Sequence, residues 1–112
     1  MYVTIIYMIE VKISYKPGCV LYYVMECEEG RFEGGVDKHF RLFADPACPY
    51  KELMLRTLIF KCMDTPFKRF VTEDAWGTDL TRFGFHRETE NGKEVFAAAA
   101  EDMRLPSDCH CR

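Results

Sequence analysis

Residues 50–63 read YKELMLRTLIFKCM and carry the clearest helical pattern in the chain. Apolar side chains recur three and four positions apart, while charged and polar side chains take most of the other side. The apolar set comprises Met54, Leu55, Leu58, Ile59, Cys62 and Met63, and the polar set comprises Lys51, Glu52, Arg56, Thr57 and Lys61. This spacing predicts an amphipathic helix of about 14 residues. Pro49 suits its first turn, because the missing amide hydrogen would be unpaired there in any case.

The residues before this helix have the composition of β-strands. Segments 2–14, 19–28 and 32–44 are rich in Val, Ile, Tyr, Phe and Thr and are separated by turn residues. The third segment contains Gly34-Gly35, which indicates either a bulge or a point of close backbone approach. We therefore expect three meandering antiparallel strands, with no helix in the first 44 residues.

After the helix the pattern changes more often. Residues 67–72 are typical of a strand, and 75–82 of a short helix with Asp74 as its N-cap. A further strand begins at 83–85, and Asn91-Gly92 predicts a tight hairpin into a last strand at 94–100. Its alanine run favours helix, but the hairpin needs a partner strand. The expected class is α+β: a mixed, mostly antiparallel sheet with one long and one short helix, in the order β-β-β-α-β-α-β-β.

Composition limits the function classes. The 112 residues suit a single domain over 1–106, followed by a cysteine-containing tail at 107–112. A net charge of −3 argues against a nucleic-acid binder, which needs a basic excess. No apolar run approaches the length of a membrane span, and no basic segment precedes the first apolar one. We expect a cytoplasmic protein with no membrane partner, in which Cys19, Cys27, Cys48 and Cys62 are reduced thiols.

The order of elements over residues 30–106 resembles the GNAT acetyltransferase superfamily. The resemblance is carried by the amphipathic helix, the strand FKRFVT at 67–72, and the Gly-Phe step within RFGFHRE at 82–88. Asp45-Pro46, which ends a strand before the helix, is also similar to a common feature of that family. The implied fold is a GNAT-like core, trimmed of the two helices that usually follow the first strand.

The resemblance implies transfer of an acetyl group from acetyl-CoA to an amine. In the family, backbone amides at the start of the long helix bind the CoA pyrophosphate, and the strand before it holds the pantetheine. These places correspond here to Phe43, Tyr50 and Lys51, which are therefore the predicted cofactor-binding residues. Glu73 and Asp74 follow the next strand and are the predicted catalytic, amine-side residues. The simpler interpretation of this carboxylate pair is helix capping.

Two positions depart from the family pattern. No glycine occurs between Gly35 and Gly77, so the usual glycine-rich pyrophosphate loop is missing. Leu80 stands where many members have a tyrosine general acid, and leucine cannot protonate a leaving thiolate. These departures favour an alternative of another class, a non-catalytic GNAT-derived binding or interaction module. In either case a homodimer formed by strand pairing of the apolar N-terminal segment is expected.

Other candidate residues have weaker signals. Cys109-His110-Cys111 has soft ligands in a row, but a structural zinc site needs four, so we expect a loose thiol pair and no metal. His86 follows the Gly-Phe step and is a candidate general base, but we favour the simpler interpretation of a surface histidine on a hairpin. His39 is interpreted as a structural or surface residue.

Overall fold

Strands precede and follow a single α-helix along the chain. The computed structural model describes residues 9–73 and 75–106. Within them the elements are β1 (Glu10–Ile13), β2 (Cys19–Cys27), β3 (Gly30–Asp37), β4 (Arg41–Ala44), α1 (Lys51–Cys62), β5 (Arg69–Thr72), β6 (His86–Glu90) and β7 (Lys93–Ala99). Short 3-10 turns occupy Leu80–Phe83 and Ala100–Asp102. Residues 2–8 of the first predicted strand and the 107–112 tail lie outside this description.

The strands form one sheet in the order β1-β2-β3-β4-β5-β7-β6. Every neighbouring pair is antiparallel except β4 and β5, which α1 connects as a parallel pair. The predicted α+β class with a mostly antiparallel sheet is thus confirmed. Among the described residues no helix is long and apolar enough to cross a bilayer.

The prediction of a single strand over residues 32–44 was wrong, because a turn divides it into β3 and β4. The Asp37 carboxylate accepts hydrogen bonds from the amides of His39 (2.8 Å) and Arg41 (3.1 Å), and Phe40 adopts a φ of 62°. Gly34-Gly35 is a point of close approach: a Cβ on Gly34 would lie 2.6 Å from Met54 Sδ. α1 therefore packs directly on the backbone of β3.

The predicted short helix at 75–82 is also wrong. Gly77 has a φ of 75°, outside the helical region, and only the 3-10 turn Leu80–Phe83 forms. Asp79 caps this turn, accepting from the Thr81 amide at 3.0 Å, and the predicted cap Asp74 lies outside the described residues. Gly84 ends the turn at a φ of 96°, where a Cβ would lie 2.1 Å from the Asp102 carbonyl oxygen. This contact explains why the Gly-Phe step contains glycine.

The hairpin and final strand follow the prediction. Asn91 and Gly92 have φ angles of 54° and 78°, as a tight hairpin turn requires, and Glu90 pairs with Lys93. The alanine run belongs to β7, where Ala97 and Ala98 are buried between neighbouring strands. Pairing with β5 and β6 thus outweighs the helix propensity of alanine.

α1 covers one face of the sheet. Its buried side chains are Met54, Leu55, Leu58, Ile59 and Cys62, as predicted. They pack with a core that includes Met25, Val36, Leu42, Phe70, Trp76 and Phe83. Met63 was predicted to join them but is 46% exposed, because the helix ends at Cys62. Leu53 and Phe60 are exposed apolar side chains on the outer side of α1.

The opposite face has no helix over it within the described residues. A small apolar cluster of Val71, Val95 and Ala97 is nevertheless buried there. Side chains alternate along each strand, so the charged neighbours of this cluster share its face. They form the ion pairs Arg41–Glu73, Arg41–Glu90, Arg69–Glu88 and Lys93–Glu73. We call this side the ion-paired face and the other the helical face.

Candidate functional site

The two parallel strands separate at their carboxyl ends. β4 and β5 pair only at Arg41–Val71 and Leu42–Thr72. β4 continues to Phe43 and Ala44, where its registered partners are the glycines of β3. β4 therefore leaves the β4–β5 ladder after Leu42, and the chain continues from Ala44 to the start of α1. The carboxyl ends of parallel strands are where open α/β sheets place ligands.

A threonine and a tryptophan fill the inner end of this divergence. The Thr72 hydroxyl donates to the Leu42 carbonyl oxygen (2.9 Å) and accepts from the indole Nε1–H of Trp76 (3.0 Å). Thr72 is fully buried and Trp76 is 2% exposed. Trp76 belongs to the core of the helical face and also lines an open groove at the start of α1.

An open groove of about 450 Å³ lies at the amino end of α1. Residues 48–53 form one wall, and Trp76 and Gly77 from the segment after β5 form the other. A neighbouring cavity of about 220 Å³, lined by Ala44, Pro46, Lys51 and Ala75, lies against the end of β4. Lys51 lines both spaces. Their sizes are in or just below the range of small-molecule sites.

Few backbone N–H groups at this groove are available to bind a ligand. Tyr50 is the N-cap of α1 and makes no side-chain capping bond. The first amide bonded to the helix is that of Met54, so those of residues 51–53 have no acceptor among the described residues. The Ala47 and Cys48 amides bond to Asp45 instead, and Pro49 has no N–H. The helix start therefore offers three amides and the local positive dipole.

Charge at the groove comes mainly from Lys51, whose ammonium makes no ion pair with any residue the structure describes. The Glu52 carboxylate is held by Arg56, with Nε to Oε2 at 3.1 Å. The Tyr50 hydroxyl donates to Glu29 at 3.4 Å, and the carboxylate charge raises the pKa of this phenol. Tyr50 is thus neutral, with its hydrogen donated to Glu29, and Lys51 is a cation without an ion-pair partner among the described residues. This arrangement favours an anionic ligand.

Cys48 borders the groove but is not placed as a nucleophile. It is 5% exposed, and its Sγ lies 3.8 Å from Met25 Sδ in the core. Burial raises the pKa of the thiol, which lowers the fraction of reactive thiolate at neutral pH.

The structure brings Tyr50 and Lys51 together, but not Phe43. Leu42 and Ala44 are buried beneath α1, so the alternating side chain of Phe43 lies on the ion-paired face. There its ring lies beside Gly35, where an added Cβ would be 3.2 Å from Cζ. Only the backbone of Phe43 borders the divergence of β4 and β5.

Glu73 also lies on the ion-paired face, away from the groove lining. Its Oε2 accepts from Arg41 Nη1 (2.9 Å) and its Oε1 from Lys93 Nζ (3.1 Å). Both carboxylate oxygens therefore already have cationic partners. Asp74, the other predicted amine-side residue, lies outside the described residues.

The remaining candidates are not among the residues that line the groove. Leu80 is buried in the 3-10 turn, and His39 is exposed in the turn before β4. His86 is exposed, with Nε2 at 2.6 Å from Glu88 Oε2. The described part of the chain contains no group of His, Cys, Asp and Glu suited to a metal ion, and 109–111 lie outside it.

Sequence reasoning missed the part that Thr72 and Gly77 play in this site. A threonine in a strand gives no signal of its own, because only the pairing of β4 with β5 brings its hydroxyl to Leu42. The positive φ of Gly77 could have been suspected from the glycine after the lone tryptophan. Comparisons of this chain with protein-family models, with curated proteins and with solved structures gave no match.

Proposed function

We propose that this chain is a GNAT-like N-acetyltransferase that binds acetyl-CoA in the groove at the start of α1 and acetylates an amine. One observation carries the proposal. The parallel strands β4 and β5 diverge above the amino end of the helix that connects them, and an open groove lies at that point. This is the arrangement that the resemblance implies for a pantetheine along β4 and a pyrophosphate at the helix.

The donor set suits one phosphate group well and a complete pyrophosphate less fully. The three amides of residues 51–53 and the Lys51 ammonium can each donate to phosphate oxygens, whereas the Tyr50 hydroxyl already donates its hydrogen to Glu29. A glycine-rich loop would add further amides, and here Asp45 already occupies those of Ala47 and Cys48. We therefore expect weaker CoA binding than a complete loop would give.

Bound acetyl-CoA would supply the activated acyl group as a thioester. The amine must be neutral to attack, so a carboxylate near it has to accept a proton. Glu73 and Asp74 are the proposed acceptors, and Glu73 must exchange Lys93 or Arg41 for the amine in order to act. With Leu80 in place of an acid, the proton that the attacking nitrogen loses on forming the amide reaches the leaving thiolate through water.

Isothermal calorimetry of the reduced protein against acetyl-CoA and free CoA tests the binding step. We expect saturable binding, and Lys51→Glu should abolish it because the substitution reverses the charge that faces the groove. Lys38→Glu is the matched control, since Lys38 is exposed in the turn at the opposite end of β4. Absence of binding at millimolar ligand by a folded sample would refute the proposal. Binding that survives Lys51→Glu would refute the placement.

A second function, a non-catalytic module that binds CoA or a partner, is favoured by a different observation. The Glu73 carboxylate is held by two cations, and Leu80 is buried where an acid would be needed. Thiol release from acetyl-CoA in the presence of a panel of amines separates the two. Binding without amine-dependent thiol release, over background hydrolysis, would support the module.

A further inference from the structure

β1 occupies one edge of the sheet. In the part of the chain that the structure describes, no strand pairs with this edge. An unpaired strand edge exposes a row of backbone N–H and C=O groups that can recruit another strand. Ile13, on the same strand, is 64% exposed and is one of the most exposed large apolar side chains among the described residues.

The direction of the free backbone groups follows from the pairing of β1 with β2. The Ser14 amide donates to the Tyr22 carbonyl at 2.9 Å, and the antiparallel register continues through Lys12–Val24 and Glu10–Glu26. Hydrogen-bonded pairs alternate along an antiparallel ladder. The N–H and C=O groups of residues 9, 11 and 13 therefore point outward, away from β2.

We propose that two copies of this chain associate through β1, antiparallel, with Val11 of one copy opposite Val11 of the other. In this register Glu10 faces Lys12 of the second copy, and Ile9 faces Ile13, each twice by symmetry. Residues 9, 11 and 13 then each donate and accept one hydrogen bond across the interface.

Charge selects this register over its neighbours. Directly opposed side chains of an antiparallel pair lie on the same face of the sheet. The twofold axis must therefore pass between two copies of the same residue. An axis at Glu10 would oppose two glutamates, and an axis at Lys12 would oppose two lysines. Only the axis at Val11 opposes unlike charges. Glu10 is 63% and Lys12 58% exposed, and within one copy the Lys12 ammonium lies 3.4 Å from Glu10 and 3.6 Å from Glu26. Pairing in this register adds a Glu10 of the second copy to the same ammonium.

The apolar side chains of this register lie on the helical face. Ile9 and Val11 are partly buried against the main core, whereas Ile13 extends beyond it. Pairing would cover Ile13 with Ile9 of the second copy and so continue the core across the interface. β6, at the other edge of the sheet, reads HRETE and has no large apolar side chain to cover.

Sedimentation velocity over a concentration series tests the proposal. We expect a monomer–dimer equilibrium for the unmodified chain. Lys12→Glu and Glu10→Lys each place like charges opposite one another, and each should raise the dissociation constant by about tenfold or more. The double variant Glu10→Lys/Lys12→Glu restores unlike pairs and should restore the dimer.

An equimolar mixture of the two single variants provides the sharpest readout. One chain then carries two lysines at these positions and the other two glutamates, so a heterodimer should form where neither variant dimerises alone. Circular dichroism shows whether each variant remains folded. A monomer at all concentrations would overturn the proposal, as would a dimer insensitive to both single reversals. Neither outcome bears on CoA binding, which is proposed at the start of α1 and does not involve β1.

Discussion

The two faces of the sheet bury apolar side chains by different means. On the helical face, α1 covers a continuous core in which Leu58, Ile59 and Phe70 have no exposed surface. On the ion-paired face, Val71, Val95 and Ala97 are buried within the sheet's own surface and beneath charged side chains. The first arrangement stabilises by removing apolar area from water. The second contributes less, because exposed ion pairs are worth little in free energy.

The candidate site lies where the helical face and the ion-paired face meet, at the ends of β4 and β5. The groove begins where α1 starts to cover the sheet, and the Glu73 ion pairs lie on the other face of the same diverging strands. A ligand in the groove would thus contact the rigid, helix-covered side. An amine approaching Glu73 would meet side chains that can exchange partners without disturbing the core. The following four substitutions test this difference, in order of expected effect.

Leu58→Ala should have the largest effect. The side chain is fully buried between α1 and the sheet, so its truncation leaves a cavity that close packing cannot fill. We expect a loss of about 2–5 kcal/mol in the free energy of unfolding, measured by urea denaturation. A loss below about 1 kcal/mol would contradict the assignment of the helical face as the main source of stability.

Thr72→Val should have the next largest effect, because it keeps the shape of the side chain and removes its hydroxyl. The Leu42 carbonyl loses a donor and the Trp76 indole loses its acceptor, both in a buried environment. Unfolding free energy should fall by about 1–3 kcal/mol. Thr72→Ser retains the hydroxyl and is the control. Equal losses in both variants would show that packing, not hydrogen bonding, joins β4 to β5.

Val71→Ala examines the ion-paired face by the same method. Val71 is 5% exposed, but its neighbours there are side chains that can move into the vacated space. We expect a loss of about 1–2 kcal/mol, close to the transfer free energy of the deleted methyl groups alone. A cost as large as that of Leu58→Ala would remove the contrast between the two faces.

Glu88→Gln should have the smallest effect and should depend on pH. The hydrogen bond from His86, reinforced by the charge of Arg69, lowers the pKa of Glu88 in the folded protein. A lowered folded pKa gives stability that is present above the ordinary glutamate pKa of about 4.3 and is lost as pH falls through the folded value. Glutamine should therefore reduce stability at neutral pH and not at strongly acidic pH. Urea midpoints across this range measure the difference, and a pH-independent change would contradict the ion-pair origin.

Local patterns predicted the elements whose structure depends on few residues. The helix at α1 follows from apolar spacing, and the β6–β7 hairpin from Asn91-Gly92, because each is specified within a short stretch of chain. The errors occurred where single side chains and backbone angles, which periodicity does not report, decide the local structure. The turn after β3 forms because Asp37 caps two amides close to it in the chain. The segment after β5 forms no α-helix because Gly77 adopts a positive φ of 75°.

The candidate site divides in the same way. Tyr50 and Lys51 could be assigned to the start of a helix from the sequence, since a helix terminus is a local feature with known donors. The face of the sheet on which Phe43 and Glu73 lie could not be predicted, because it depends on which face α1 covers. The amino-acid sequence alone determined the α+β class, the long helix and the final hairpin through short-range periodicity and turn chemistry. The tertiary structure alone decided the parallel β4–β5 pair and the Thr72–Leu42 bond, because these join residues about 30 positions apart in the chain. It also decided the groove, because its two walls come from separate segments of the chain.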